Sequence, residues 1–258
     1  MMDGPGPRDT IPAEWSNIKF GAIDVLVLAP LDLQDPHTGS FGIIPGLLTR
    51  FNWALKTARA APRLTAGTHI KIIVSQFWGS DPQGWGHPLT ALPADKVDAY
   101  AKSIREFIVK YNLDGYDVDY KVGTIVPTIP AIYATVRAQL DGLSHAKGGR
   151  HYYTTVSPAN LQYLQDAVGH ISGVNMQTYS GGQGLTVKDF LGVGFGVDQL
   201  LYGVNSETPS EGPTVSQAVG EYNDYKLAGI HNWRVNSGDL LQENAWQEQI
   251  YRSLHNLK

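Results

Sequence analysis

The sequence predicts an α/β protein built as a single (β/α)8 TIM barrel, and three observations carry that reading. The chain has 258 residues, the size of one such barrel. Short apolar runs alternate with longer amphipathic stretches along its length, as repeated βα units do. The apolar runs are continuous rather than alternating with polar residues, which fits strands covered on both faces.

The elements follow in order. The start, MMDGPGPRDT, is rich in Gly and Pro, so residues 1–12 are expected to be disordered or loosely held and the single domain to span 13–258. Residues 17–20 are a weak candidate for a short or irregular first strand. Clear strands are expected at 23–29, 70–75, 113–119, 152–157, 173–177, 199–204 and 229–233. Helices are expected between them at 45–61, 94–111, 128–145, 161–168, 187–192 and 214–225, with 239–257 closing the domain. The 94–111 stretch is the clearest, because Val97, Tyr100, Ala101, Ile104, Phe107 and Ile108 fall on one helical face. Seven clear strands stand where a closed barrel needs eight, so the alternative to an abbreviated first strand is an incompletely closed sheet.

Composition excludes several functions. A net charge of −4 and a pI near 6.0 give no basic excess, so neither a nucleic-acid partner nor an anionic membrane surface is expected. No apolar run has membrane-spanning length. The absence of cysteine removes disulfides, thiolate metal sites and cysteine nucleophiles together. The eight histidines include no His-x-His or His-x-x-x-His pair, so no metal site is expected. The Gly-rich stretch 191–197 lacks a dinucleotide or phosphate-loop pattern and reads as a turn, so no cofactor is expected. The first ten residues lack the apolar core of a signal peptide.

The chemistry concentrates in LDGYDVDYK, residues 113–121. Alternation along a strand puts Gly115, Asp117, Asp119 and Lys121 on one face, with Tyr116, Val118 and Tyr120 directed at the helices. Two carboxylates and an ammonium in a barrel interior are costly unless they pair. The plain alternative is a structural ion-pair network, but the C-terminal end of a barrel strand is where active sites form.

This run resembles the Asp-Gly-x-Asp-x-Asp-x-Glu signature of glycoside hydrolase family 18, the chitinase-like family. Asp114, Gly115, Asp117 and Asp119 match it, and Lys121 stands where the family has its acid glutamate. IVSQFWG at 73–79 matches the family's third-strand end in part, through Ser75 and Gly79. VNMQTYSGG at 174–182 resembles the sixth-strand motif, and its Gln177-Thr178-Tyr179 is most similar to the plant chitinase branch. GIHNWRVN at 229–236 resembles the eighth-strand motif with its tryptophan, Trp233. The plant branch also holds non-catalytic relatives, including a xylanase inhibitor and seed storage proteins.

The resemblance implies a mechanism that uses the substrate's own 2-acetamido group as nucleophile, an exception to the two-carboxylate scheme. Asp119 would orient that group, Asp117 would support Asp119, Tyr179 would hydrogen-bond the oxazoline and Trp233 would form the floor under the sugar. A lysine ammonium is a poor acid near neutral pH, and paired with Asp119 it would also tie up the carboxylate. The expectation is therefore a non-hydrolytic barrel that binds N-acetylglucosamine-containing or related glycans, or another small-molecule ligand, in a cleft formed with Gln177, Trp78, Tyr202 and Asn205. Three alternatives stay open: a repurposed enzyme using Lys121 with Asp119 and Asp117 for acid–base, Schiff-base or cyclisation chemistry, a glycosidase inhibitor with a protein partner, and an active-site mutant of a glycosidase. The resemblance implies secretion.

Overall fold

The computed structural model describes residues 7–76, 87–121, 126–179 and 184–257. Strands β1 (Val25–Asp35) and β2 (Ser40–Ile43) form an antiparallel hairpin. Then come α1 (Leu48–Ala60), β3 (Lys71–Gln76), α2 (Val97–Tyr111), β4 (Gly115–Tyr120), α3 (Ile129–Ala146), β5 (Tyr153–Pro158) and β6 (Gly173–Asn175). The chain ends with α4 (Val187–Val193), β7 (Leu200–Asn205), α5 (Val215–Tyr225), β8 (Gly229–Trp233) and α6 (Leu240–Leu254). The sheet order is β2-β1-β3-β4-β5-β6-β7-β8, and every pair after the hairpin is parallel.

The parallel strands are continuous in apolar character because both faces are covered. Leu28, Val74, Val118, Val156 and Val174 are fully buried. Their neighbours in sequence face inward, and residues of all seven parallel strands line one central cavity, so the sheet curls into a barrel. Among the described residues no ladder joins β1 to β8.

Residues 17–20 form no strand. Ala13–Asn17 and Phe20–Ala22 are 310 turns, and Trp15 and Phe20 are anchored against Trp53 of α1. The eighth strand is β2, which is too short and too mixed in composition to stand out. The 161–168 stretch also departs from expectation: it carries a 310 helix at Gln165–His170. Buried Arg50 donates to the carbonyl oxygens of Pro7 at 2.9 Å and Thr10 at 2.8 Å.

The packing of β4 depends on its glycine. A Cβ at Gly115 would run into the Tyr153 carbonyl oxygen of β5, so only glycine allows the two strands to pair at that point. Outward-facing Tyr116 packs edge-on against Tyr100 of α2 and shares a 3.0 Å hydrogen bond with its hydroxyl. That pairing fixes the opposite, inward row.

Candidate functional site

Strand register builds the site. Ser75 of β3, Asp117 of β4 and Thr155 of β5 are paired across the sheet, and Asp119 pairs with Ser157 one step further toward the C-terminal ends. Asp117 is fully buried and accepts from Ser75 Oγ at 2.6 Å, Thr155 Oγ1 at 2.7 Å and Ser157 Oγ at 3.1 Å. Burial still prevails over these bonds and, with Asp119 nearby, pushes the Asp117 carboxyl up to about 6.

Just past the end of β4, Lys121 closes a three-way contact. Its Nζ lies 3.0 Å from Asp119 Oδ1 and donates to Gln177 Oε1 at 2.9 Å, while Gln177 Nε2 donates to Asp119 Oδ1 at 2.9 Å. Gln177 is almost fully buried and is held by a 2.6 Å bond from Nε2 to the Ser157 carbonyl. The Lys121 ammonium also sits 5.5 Å from the centre of the Trp233 ring, within cation–π range.

A second polar pair lies beside it. Tyr179 hydroxyl and His231 Nε2 are 2.7 Å apart. Burial, reinforced by the Lys121 charge, pushes the imidazole down to about 4, so His231 is neutral near pH 7. Burial and the two aspartates hold the Tyr179 hydroxyl well above its usual range, so it keeps its proton. The Tyr179 ring also needs Gly203 of β7, where a Cβ would come within 2.9 Å of ring atom Cε1.

Trp233, at the end of β8, is clamped by the loop after β7. Its Nε1 donates to Glu207 Oε2 at 3.0 Å, and Arg234 Nη2 donates to Glu207 Oε1 at 2.8 Å. Asn205 Oδ1 accepts from the backbone N–H groups of Glu207 at 3.1 Å and Thr208 at 3.0 Å, and Ser206 N–H donates to the Trp233 carbonyl at 2.7 Å. Asp117, Asp119, Gln177, Tyr179, His231 and Trp233 line a cavity of about 390 Å³, within the usual range for a small-molecule site.

No family model matches this sequence, and no curated protein is similar to it. Solved structures are. A chitinase-like agglutinin from Robinia pseudoacacia superposes with a TM-score of 0.72 at 14% identity, covering 92% of this chain and 95% of its own. Human YKL-39, described as a pseudo-chitinase with retained chitooligosaccharide binding, gives 0.70 at 11% identity, with 93% of each chain covered. A fungal endo-β-N-acetylglucosaminidase of glycosyl hydrolase family 18 gives 0.65 at 17% identity, with 98% and 95% covered. The fold is the chitinase-like TIM barrel.

In this chitinase-like barrel, Asp117, Asp119, Lys121, Gln177, Tyr179 and Trp233 come together, with Asp117, Asp119 and Lys121 on one face as the alternation along β4 implied. Two of the sequence candidates do not join them. Tyr202 faces the helices and packs near Val204, Val215 and Ala218, because it lies one position out of step with inward-facing Leu201 and Gly203. Asn205 spends its amide within its own loop, including a 2.8 Å bond from Nδ2 to Thr208 Oγ1, and so positions Glu207 rather than facing the cleft. Trp78 lies outside the described residues. Asn232 also turns outward, with Nδ2 3.4 Å from Gln247 Oε1 of α6. His231 was missed, although it stands two residues before Trp233 and must share its face. Glu207 and Arg234 carried no sequence signal, since their pairing is a tertiary contact between two loops. Among the described residues no three His, Asp or Glu side chains converge as metal ligands.

Proposed function

We propose that the protein binds N-acetylglucosamine-containing or related glycans in the C-terminal-face cleft without hydrolysing them. The observation that carries this reading is the Lys121 ammonium held between Asp119 and Gln177 at 3.0 and 2.9 Å. The position where the family resemblance calls for an acid holds a cation, and that cation occupies the carboxylate that would orient an acetamido group. Loss of a general acid alone typically costs about 10²–10⁴-fold in rate. The Tyr179 hydroxyl is directed at His231, so a second group of the expected machinery is engaged elsewhere. What supports recognition is the surface these residues build: an indole fixed by Glu207 beside a polar cluster of Asp119, Lys121 and Gln177. Two of the similar structures, a pseudo-chitinase with retained chitooligosaccharide binding and a chitinase-like agglutinin, are compatible with this combination of barrel and binding.

Calorimetric titration with N-acetylglucosamine oligomers tests the proposal. Saturable binding is expected, and Trp233→Ala should weaken it by roughly tenfold or more, equivalent to about 1.4 kcal/mol. Unchanged affinity in Trp233→Ala would place the glycan elsewhere. A second reading, new chemistry at Lys121, draws on its side chain being 27% exposed within the cleft. It requires that borohydride trap a small aldehyde on a peptide containing Lys121. The 3.0 Å ion pair with Asp119 engages the amine and argues against it.

A further inference from the structure

The cavity does not end at the floor of the cleft. It continues down the barrel between Val25, Val27 and Ala29 of β1 and Leu201 and Ile230 of β7 and β8, and reaches Leu254 of α6. Val25 to Ala29 is four residue steps, about 13 Å of strand, so the cavity of about 390 Å³ extends along at least that length of the barrel. Its walls differ. On the β3 to β6 side the polar groups are already bonded to one another around Asp117. On the β1 and α6 side the lining is mostly apolar, through Val25, Val27, Ala29, Ile250 and Leu254, with Asn232 and Gln247 as polar exceptions, and Val25 is 41% exposed. The far end carries a charge: Asp24, 43% exposed and lining the space, is held by Arg63 at 2.9 Å and His255 at 2.7 Å.

An apolar channel that opens into a charged and polar cleft is complementary to an amphiphile. Apolar cavities accept apolar ligands because water gains little by filling them, and the elongated shape suits an unbranched chain better than a ring. The charged Asp24 at the far end disfavours an alkyl chain that reaches past it. We infer that this channel binds a single alkyl chain whose polar head group occupies the cleft. The identity of the head group rests on the glycan reading above; the chain site stands on the channel alone.

The test is calorimetry with butyl, hexyl, octyl and decyl β-N-acetylglucosaminides, each below its micelle-forming concentration, with chitotetraose and the matching alkyl maltosides as comparisons. Affinity should rise roughly fourfold per added methylene and then reach a plateau. Val25→Trp, a partly exposed position with room for a larger side chain, should bring the plateau to a shorter chain while leaving chitotetraose affinity unchanged. If Val25→Trp does not fold, Leu254→Trp on α6 obstructs the same end. Affinity independent of chain length, with chitotetraose still bound, overturns the channel site and leaves the glycan reading standing. An unchanged plateau in the folded tryptophan variants also overturns it. Chain-length dependence equal in the maltosides, with chitotetraose unbound, supports the channel and overturns the glycan head group.

Discussion

Lys121 is where the chemistry of the cleft turns. A glutamate there would face Asp119 as a second carboxylate, whereas the ammonium forms a 3.0 Å ion pair with it. Restoring the acid does not by itself restore a hydrolase, because Tyr179 remains bonded to His231. Lys121→Glu is therefore expected to leave chitotetraose uncleaved in an overnight reducing-end assay; release of reducing ends by that variant would show that the rest of the machinery is intact. Asp117 gives a prediction of a different kind. Its carboxyl is raised from 3.8 to about 6, so between those values the folded chain holds a proton that the unfolded chain has lost. Stability from this group consequently falls as the pH rises through that window and is level above it, by on the order of 3 kcal/mol. The stability advantage of wild type over Asp117→Asn, measured by denaturant unfolding, should shrink between pH 4 and pH 7. An advantage that grows or stays constant contradicts the assignment. At this scale the β4 row was legible from alternation alone. His231 was legible in principle, and Glu207 was not, since a contact between loops leaves no period in the sequence.

The elements act through where they end. The loop from β7 to α5 holds Trp233 and Arg234 through one carboxylate. Removing it in Glu207→Ala leaves the indole N–H and the guanidinium without that acceptor, a loss of about 1–3 kcal/mol in stability, and lets the indole move. Glycan affinity should fall in Glu207→Ala and be largely kept in Glu207→Gln, which retains an acceptor for the indole; equal loss in both would point to charge rather than position. Gly203 of β7 is a sharper case, because a Cβ there meets both the Met176 carbonyl and the Tyr179 ring. Gly203→Ala should lower the melting temperature and reduce glycan binding together. Most strands and helices were visible from apolar runs bounded by Gly, Pro and Asn. The exceptions have physical causes. Residues 161–168 were read as an α-helix but wind as 310 at their end, while β2 is four residues long and is specified by its pairing with β1 rather than by its own pattern.

For the whole molecule, the described residues give seven parallel strands and one antiparallel hairpin strand. Among the described residues no ladder joins β1 to β8, and residues of both strands line the channel. The fold class was thus readable, but which strand departs from the pattern was not, because pairing partners are set by the whole sheet. We propose that this barrel recognises N-acetylglucosamine oligomers and does not cut them. A proton NMR titration with chitotetraose reads both in one tube. Saturable shifts or broadening of the acetamido methyl and anomeric signals, with no new reducing-end anomeric protons over a day, is the predicted result. Growing reducing-end signals would contradict the absence of hydrolysis, and ligand signals unmoved by excess protein would contradict recognition.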